Sequence, residues 1–184
     1  MTDHATDPDE IVRPLLRTRQ VREFTDEPVD RAALDALADV GRWSGSSRNN
    51  QPWRFIVITE VETIRRLADT GMPMTRALQT ASAAIAITIP EQPGWKLSHA
   101  YDEGRTAERI LVAASLLDLG AGIVWLSGDG REAAGRILAL PEDRFVRTII
   151  ALGHPTDRAR RPKSEPGEAR LPREETVLSE RWPD

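Results

Sequence analysis

The sequence predicts an α+β fold. Helical and strand-like segments both recur along the chain, they follow one another without regular βαβ alternation, and no internal repeat or low-complexity stretch imposes a period. The 184 residues, 40% of them hydrophobic, suit one domain with enough apolar material to bury its own core. Residues 1–184 are therefore expected to form a single domain.

The elements follow in order. Pro8 to Arg17 reads as a first helix with Ile11, Leu15 and Leu16 apolar, interrupted by Pro14. Asp30 is an N-cap for a second helix, with Val29 and Leu34 placed as a hydrophobic staple and Leu34, Leu37, Ala38 and Gly41 on one face. Arg54 to Thr59 is rich in β-branched and aromatic residues and reads as a strand. Thr59 and Glu62 have capping-box spacing for a helix running to Ala68, which Gly71 can stop. Ala83 to Ile89 is a buried strand ended by Pro90. Thr106 to Leu119 is apolar nearly all round, which predicts a helix buried on most sides, in a core or a subunit interface. Ala121 to Leu126 is a strand, Asp129 and Glu132 open a helix reaching Leu140, and Phe145 to Leu152 is the last strand. Residues 156–168 form a polar, Pro-containing connection. The tail 169–184 then spends Leu171, Val177, Leu178 and Trp182, which requires something to dock on.

Composition narrows the function. The net charge of −4 lacks the basic excess of a nucleic-acid binder. Cysteine is absent, and His4, His99 and His154 lie too far apart for ligand spacing, so neither thiolate chemistry nor a metal site is expected. The acidic opening residues contain no signal-peptide apolar region, and the longest apolar stretches, Ala83 to Ile89 and Ile110 to Leu117, are too short to span a bilayer. A cytoplasmic protein with no membrane partner is the expectation.

Four segments have the makings of a site. Thr18-Arg19-Gln20-Val21-Arg22-Glu23-Phe24 sets Arg19 and Arg22 in a loop that can aim two guanidinium forks at one anion, although a solvated basic loop would read the same. Ser44 to Phe55 crowds Ser46, Ser47, Asn49 and Gln51 ahead of Pro52-Trp53, putting donors and acceptors on short stems where backbone can approach a flat ligand; ordinary loop capping is the alternative. Leu119 to Gly128 is not GxGxxG at a strand-to-helix turn, so no Rossmann site follows. Gly128 would let a backbone N–H reach a ligand, or simply make a turn into the next helix. Gly167 to Pro172 offers Arg170, which alone would be a surface residue.

Together these segments resemble the nitroreductase family of flavoproteins: its N-terminal Arg-rich motif running into Phe, its Ser-Ser-x-Asn-x-Gln-Pro-Trp motif, its Leu-Gly-rich helix exit with a flavin-facing strand end, and its C-terminal basic motif ahead of a tail with Arg181-Trp182. The resemblance covers about Leu16 to Pro155 and the tail from Gly167, in the right order. It implies an α/β sandwich with a mostly antiparallel sheet flanked by helices, a homodimer with the tail docked on it, and FMN at the subunit interface. NAD(P)H would be the electron donor, and a nitroaromatic, quinone or similar small molecule the acceptor, in ping-pong turnover. Arg19, Arg22 and Arg170 match phosphate-binding positions. Ser46, Ser47 and Asn49, with Gln20 and Gln51 among the cofactor contacts, match positions around the ribityl chain and the pyrimidine edge. Ser127 and Gly128 match the strand end beside the reactive nitrogen. No side chain is required as a general acid or base, since the flavin carries the chemistry. The chain departs from the family at Thr18 and Gln20, where many members have Arg and Ser, at Glu168, where some have Lys, and at Gly45, a frequent proline. These changes predict a less cationic phosphate site and a looser loop. The short run between Ala68 and Arg105 leaves little room for a cover over the substrate pocket. A flavin-binding or flavin-sensing protein with little turnover is the rival expectation, and a deazaflavin-linked or dehalogenating relative a remoter one.

Overall fold

Four strands form the middle layer of the computed structural model, which describes residues 7–161, 164, 168 and 170–182. They are β1 (Arg54–Ile58), β2 (Ala83–Pro90), β3 (Gly120–Trp125) and β4 (Arg144–Gly153). All three pairings are antiparallel and the order is β1-β2-β4-β3, so β2 and β4 are central and β1 and β3 are edges. The α+β expectation and its antiparallel sheet therefore hold.

The strands alternate between two buried faces, as side chains of period two must. Ala84 and Ala86 of β2 with Ile149 and Ala151 of β4 join Ile64, Leu67 and Leu78 on one face. Ile85, Ile87, Ile150 and Leu152 join Leu34, Leu37, Ile110 and Leu111 on the other. The small alanines of the first face let α3 (Val61–Ala68) and α5 (Asp129–Ile137) approach closely, while the larger isoleucines of the second fill the layer beneath α2 (Arg31–Arg42) and α4 (Lys96–Leu116). The first helix, α1, spans Pro8–Arg17 and buries no residue.

Two expectations need correction. The helix expected from Thr106 begins ten residues earlier, at Lys96. Its first half is too polar to show as an apolar run, yet His99, Asp102, Glu103, Thr106, Ala107, Ile110, Leu111 and Ala114 make one continuous buried stripe at helical spacing. It is thus buried along one side rather than all round, and Leu116 and Leu117 are exposed. The second correction is at α3, whose N-cap is Glu60 rather than Thr59; the Thr63 hydroxyl donates to the Glu60 carboxylate, and no Thr59–Glu62 box forms.

The 156–168 connection starts with a single helical turn, α6 (Asp157–Arg160), capped by the Thr156 hydroxyl accepting from Ala159 N–H at 3.2 Å. Arg160 pairs with Asp118 at 2.9 Å, and its hydrogen bond and charge hold that carboxyl below the ordinary aspartate range. The tail contains α7 (Arg173–Thr176), and Leu171, Val177, Leu178 and Trp182 lie exposed. Gly167, at the start of the expected basic motif, lies outside the described residues.

Candidate active site

The Arg19–Phe24 segment is fastened along the free edge of β3. Val21 N–H donates to the Ala121 carbonyl at 2.8 Å, and the Gln20 side-chain oxygen accepts from Ile123 N–H at 2.7 Å. Gly122 makes this possible: a Cβ there would stand 2.2 Å from the Val21 carbonyl oxygen. Phe24 is buried against Gly153 and bridges to Pro155, and its N–H donates to the Thr80 hydroxyl at 3.2 Å. The edge residue Gln20 is thus spent in part on the fold.

The two arginines of the segment differ. The Arg19 guanidinium donates to the carbonyls of Arg161 (2.9 Å), Ala159 (3.2 Å) and Arg160, capping the end of α6 as a cation should at a helix C-terminus. Arg22 is exposed and has no hydrogen bond or ion pair with any described residue. Of the pair, Arg22 is the one whose full donor set is available to an anion.

At the end of β3, Ser127 and Gly128 are exposed and Gly128 caps α5. Its φ of 49° and ψ of −131° belong to a region essentially restricted to glycine, and a Cβ built there would meet nothing within 4 Å. The turn therefore faces open space, with backbone able to approach a ligand.

Ser46, Ser47, Asn49 and Gln51 gather in a second cluster. Arg48, Asn49 and Gln51 have φ of 50°, 55° and 47°, three left-handed non-glycine residues within four positions. Such a backbone costs of order 1–3 kcal/mol per residue and persists only where its surroundings over-determine it. Here the Ser46 hydroxyl accepts from Gln51 N–H at 2.9 Å, and the Gln51 amide donates to the Asn49 side-chain oxygen at 3.2 Å. The loop is bolted to the first half of α4: Ser47 N–H donates to both carboxylate oxygens of buried Asp102 at 3.0 Å, Arg48 lies over the Trp95 ring at 5.6 Å, and the Arg105 guanidinium covers Gly45. The looseness expected from Gly45 is thus countered by Arg105. At the far end, Arg144 donates to the Pro52 carbonyl at 2.8 Å and the Thr88 carbonyl at 2.7 Å. Burial, then the neighbouring Arg54 charge, pushes its guanidinium below the usual arginine range.

Asp102 is the positioning residue that sequence reasoning missed, because a lone acid in a polar run looks solvated and nothing local reveals that it faces the Ser47 amide.

Within the single chain the predicted residues fall into separate groups. Arg19 lines a small cavity with Leu111, Ser115 and Asp118 at the end of α4, whereas Ser47 is anchored at Asp102, about 20 Å back from Ser115 along that helix at 1.5 Å per residue. No hydrogen bond or ion pair among the described residues joins the two clusters. Arg170 lies exposed on the tail.

The model of the Nitroreductase family matches residues 15–103, a span that holds both the Arg19–Phe24 segment and the Ser46–Gln51 loop. A protein of Archaeoglobus fulgidus named "Putative NADH dehydrogenase/NAD(P)H nitroreductase" is 29% identical over 159 residues, which cover 81% of this chain and 87% of that protein. The Bacillus subtilis protein named FMN reductase [NAD(P)H] is 24% identical over 189 residues, covering 93% of this chain and 76% of its own. A crystal structure from Parabacteroides distasonis with the same description as the Archaeoglobus protein superposes with a TM-score of 0.77 at 25% identity, over 94% of this chain and 99% of that one.

Proposed function

The chain belongs to the nitroreductase family, and from that premise we propose that it is an FMN-dependent oxidoreductase that uses NAD(P)H to reduce a nitroaromatic, quinone or similar small acceptor. The observation that carries this reading is the β3 edge: a segment with an unpaired arginine, Arg22, is hydrogen-bonded along a strand that ends at the open Gly128 turn. That arrangement fits FMN in kind, since it offers a cation for a phosphate and a bare backbone amide for a flat ring. When bound, FMN supplies the chemistry of accepting hydride from a reduced nicotinamide and passing electrons to the acceptor.

The protein's share is binding and orientation. Arg22, with Arg19 and Arg170, holds the phosphate. Gln20, Ser127 and Gly128 would contact it from the β3 side, with the Gly128 N–H available to the ring. Ser46, Ser47, Asn49 and Gln51 supply polar groups toward the ribityl chain and the pyrimidine edge, held rigid by Asp102. Because the serine loop and Arg19 lie at different ends of α4, the two groups meet on one ligand most simply when they come from different protomers, which supports a homodimer with a shared site. The exposed leucines of α1, Leu116, Leu117 and the tail residues Leu171 and Trp182 supply apolar surface for that contact. Donor and acceptor occupy one pocket in turn, so initial-rate plots should be parallel.

The direct test is FMN binding by the Arg22→Glu protein. Reversing the charge should weaken FMN at least about 100-fold, given the strength of charge-assisted phosphate contacts, and the protein should purify colourless. An Arg22→Glu protein that purifies fully loaded overturns the site assignment.

A further inference from the structure

A second cationic cleft opens between the first turns of α4 and the β4–α5 side of the sheet. Lys96, His99, Arg131, Phe145 and Arg147 line it, with Glu91 at one side, around about 110 Å³. His99 is 3% exposed; its ring stacks on Trp95 at 6.0 Å, yet it makes no hydrogen bond with any described residue. The Nε of Arg131 is likewise buried without a hydrogen-bond partner. Two guanidinium groups converge on one ring, Arg131 at 4.1 Å and Arg147 at 5.8 Å from the Phe145 centroid. Two carboxylates balance them in part: Glu91 stands 3.6 Å from Arg131 and 4.0 Å from Lys96, and Glu103 pairs with Arg147. Three cations against two carboxylates leave the cleft positive even with His99 neutral.

A buried guanidinium N–H without an acceptor beside an imidazole that makes no hydrogen bond, in a cleft of excess positive charge, calls for an anion with several acceptor oxygens. The volume corresponds to a few waters, which admits one carboxylate or phosphate group and excludes a nucleotide. We propose that this cleft binds the oxyanion of a small ligand, with the Arg131 Nε and the His99 ring as its donors. A larger neighbouring cleft of about 590 Å³ shares Glu91, Arg131 and Phe145 and extends to Gly128. The oxyanion can thus be a free phosphate, or the carboxylate of an acceptor reaching from the Gly128 turn; only the second source rests on the functional reading above.

Titration calorimetry of the full-length protein with inorganic phosphate, benzoate and the neutral isostere benzamide tests this. At least one anion should bind while benzamide does not. Arg131→Gln and His99→Ala should each weaken binding about tenfold or more, with Arg31→Gln, on α2 and outside both clefts, unchanged. Arg131 is partly exposed, so its variant keeps the test available should His99→Ala fail to fold. Turnover of 4-nitrobenzoate against nitrobenzene then separates the sources: a preference for the carboxylate that Arg131→Gln abolishes assigns the substrate, and its absence beside phosphate binding assigns the free ion. Neither anion binding, benzamide binding equally well, or affinity that survives Arg131→Gln would overturn the proposal, whatever the fate of the flavin assignment.

Discussion

Asn49 is held in a left-handed conformation, and its side-chain oxygen is engaged by the Gln51 amide, so its remaining polar groups are presented with little freedom. Oriented donors that face developing negative charge stabilise it most when they need no rearrangement. Asn49→Ala should therefore slow reduction by NAD(P)H about tenfold, below the effect of a full oxyanion-hole donor because the charge is delocalised, while some FMN is retained. Stopped-flow reduction of the variant measures this, and an unchanged rate would remove the loop from the mechanism. The residue types of this loop were legible in the sequence, since Ser-Ser-x-Asn-x-Gln-Pro-Trp concentrates short polar stems in one turn. What fixes them was not: Asp102 and Arg105 come from a helix some fifty residues onward. Arg19 and Arg22 looked equivalent for the same reason, because the carbonyls that Arg19 caps belong to residues 159–161.

The long helix α4 shows what apolar periodicity can and cannot reveal. Ile110, Leu111 and Ala114 announce a buried stripe, but its continuation through Thr106, Glu103, Asp102 and His99 is polar and reads as surface until its partners are seen. Glu103 is almost fully buried and pairs with Arg147 of β4, while its other oxygen, Oε1, has no hydrogen-bond partner. Removing one member of such a pair leaves a charge stranded, whereas replacing both removes the desolvation cost as well. Arg147→Met should cost about 3 kcal/mol in denaturant unfolding, and Glu103→Gln combined with Arg147→Met should recover most of that loss. A double variant as unstable as the sum of its parts would mean that the pair is not coupled. The strands were easier to find, because β2 and the second half of β4 are buried on both faces and their Ala and Ile runs are diluted by few polar residues.

At the scale of the molecule, the order of elements follows from local pattern and the antiparallel layer from the family resemblance, whereas the surface does not explain itself within one chain. Ile11, Leu15 and Leu16 on α1, Leu116 and Leu117 at the end of α4, and Leu171, Val177 and Trp182 in the tail are all exposed on the single chain. A homodimer burying roughly 2,000 Å² or more would cover such a surface, and light scattering at micromolar concentration should return twice the 20.5 kDa chain mass; a flavin-loaded monomer would contradict the shared site. The central claim, that this chain binds FMN and carries electrons from NAD(P)H to a small acceptor, is tested most directly by the visible spectrum of the purified protein under anaerobic conditions. The account predicts a yellow protein whose flavin absorbance bleaches on adding NADH or NADPH and returns when a quinone or nitroaromatic follows. A protein that takes up no FMN, or one whose bound FMN stays oxidised in excess NAD(P)H, would contradict it.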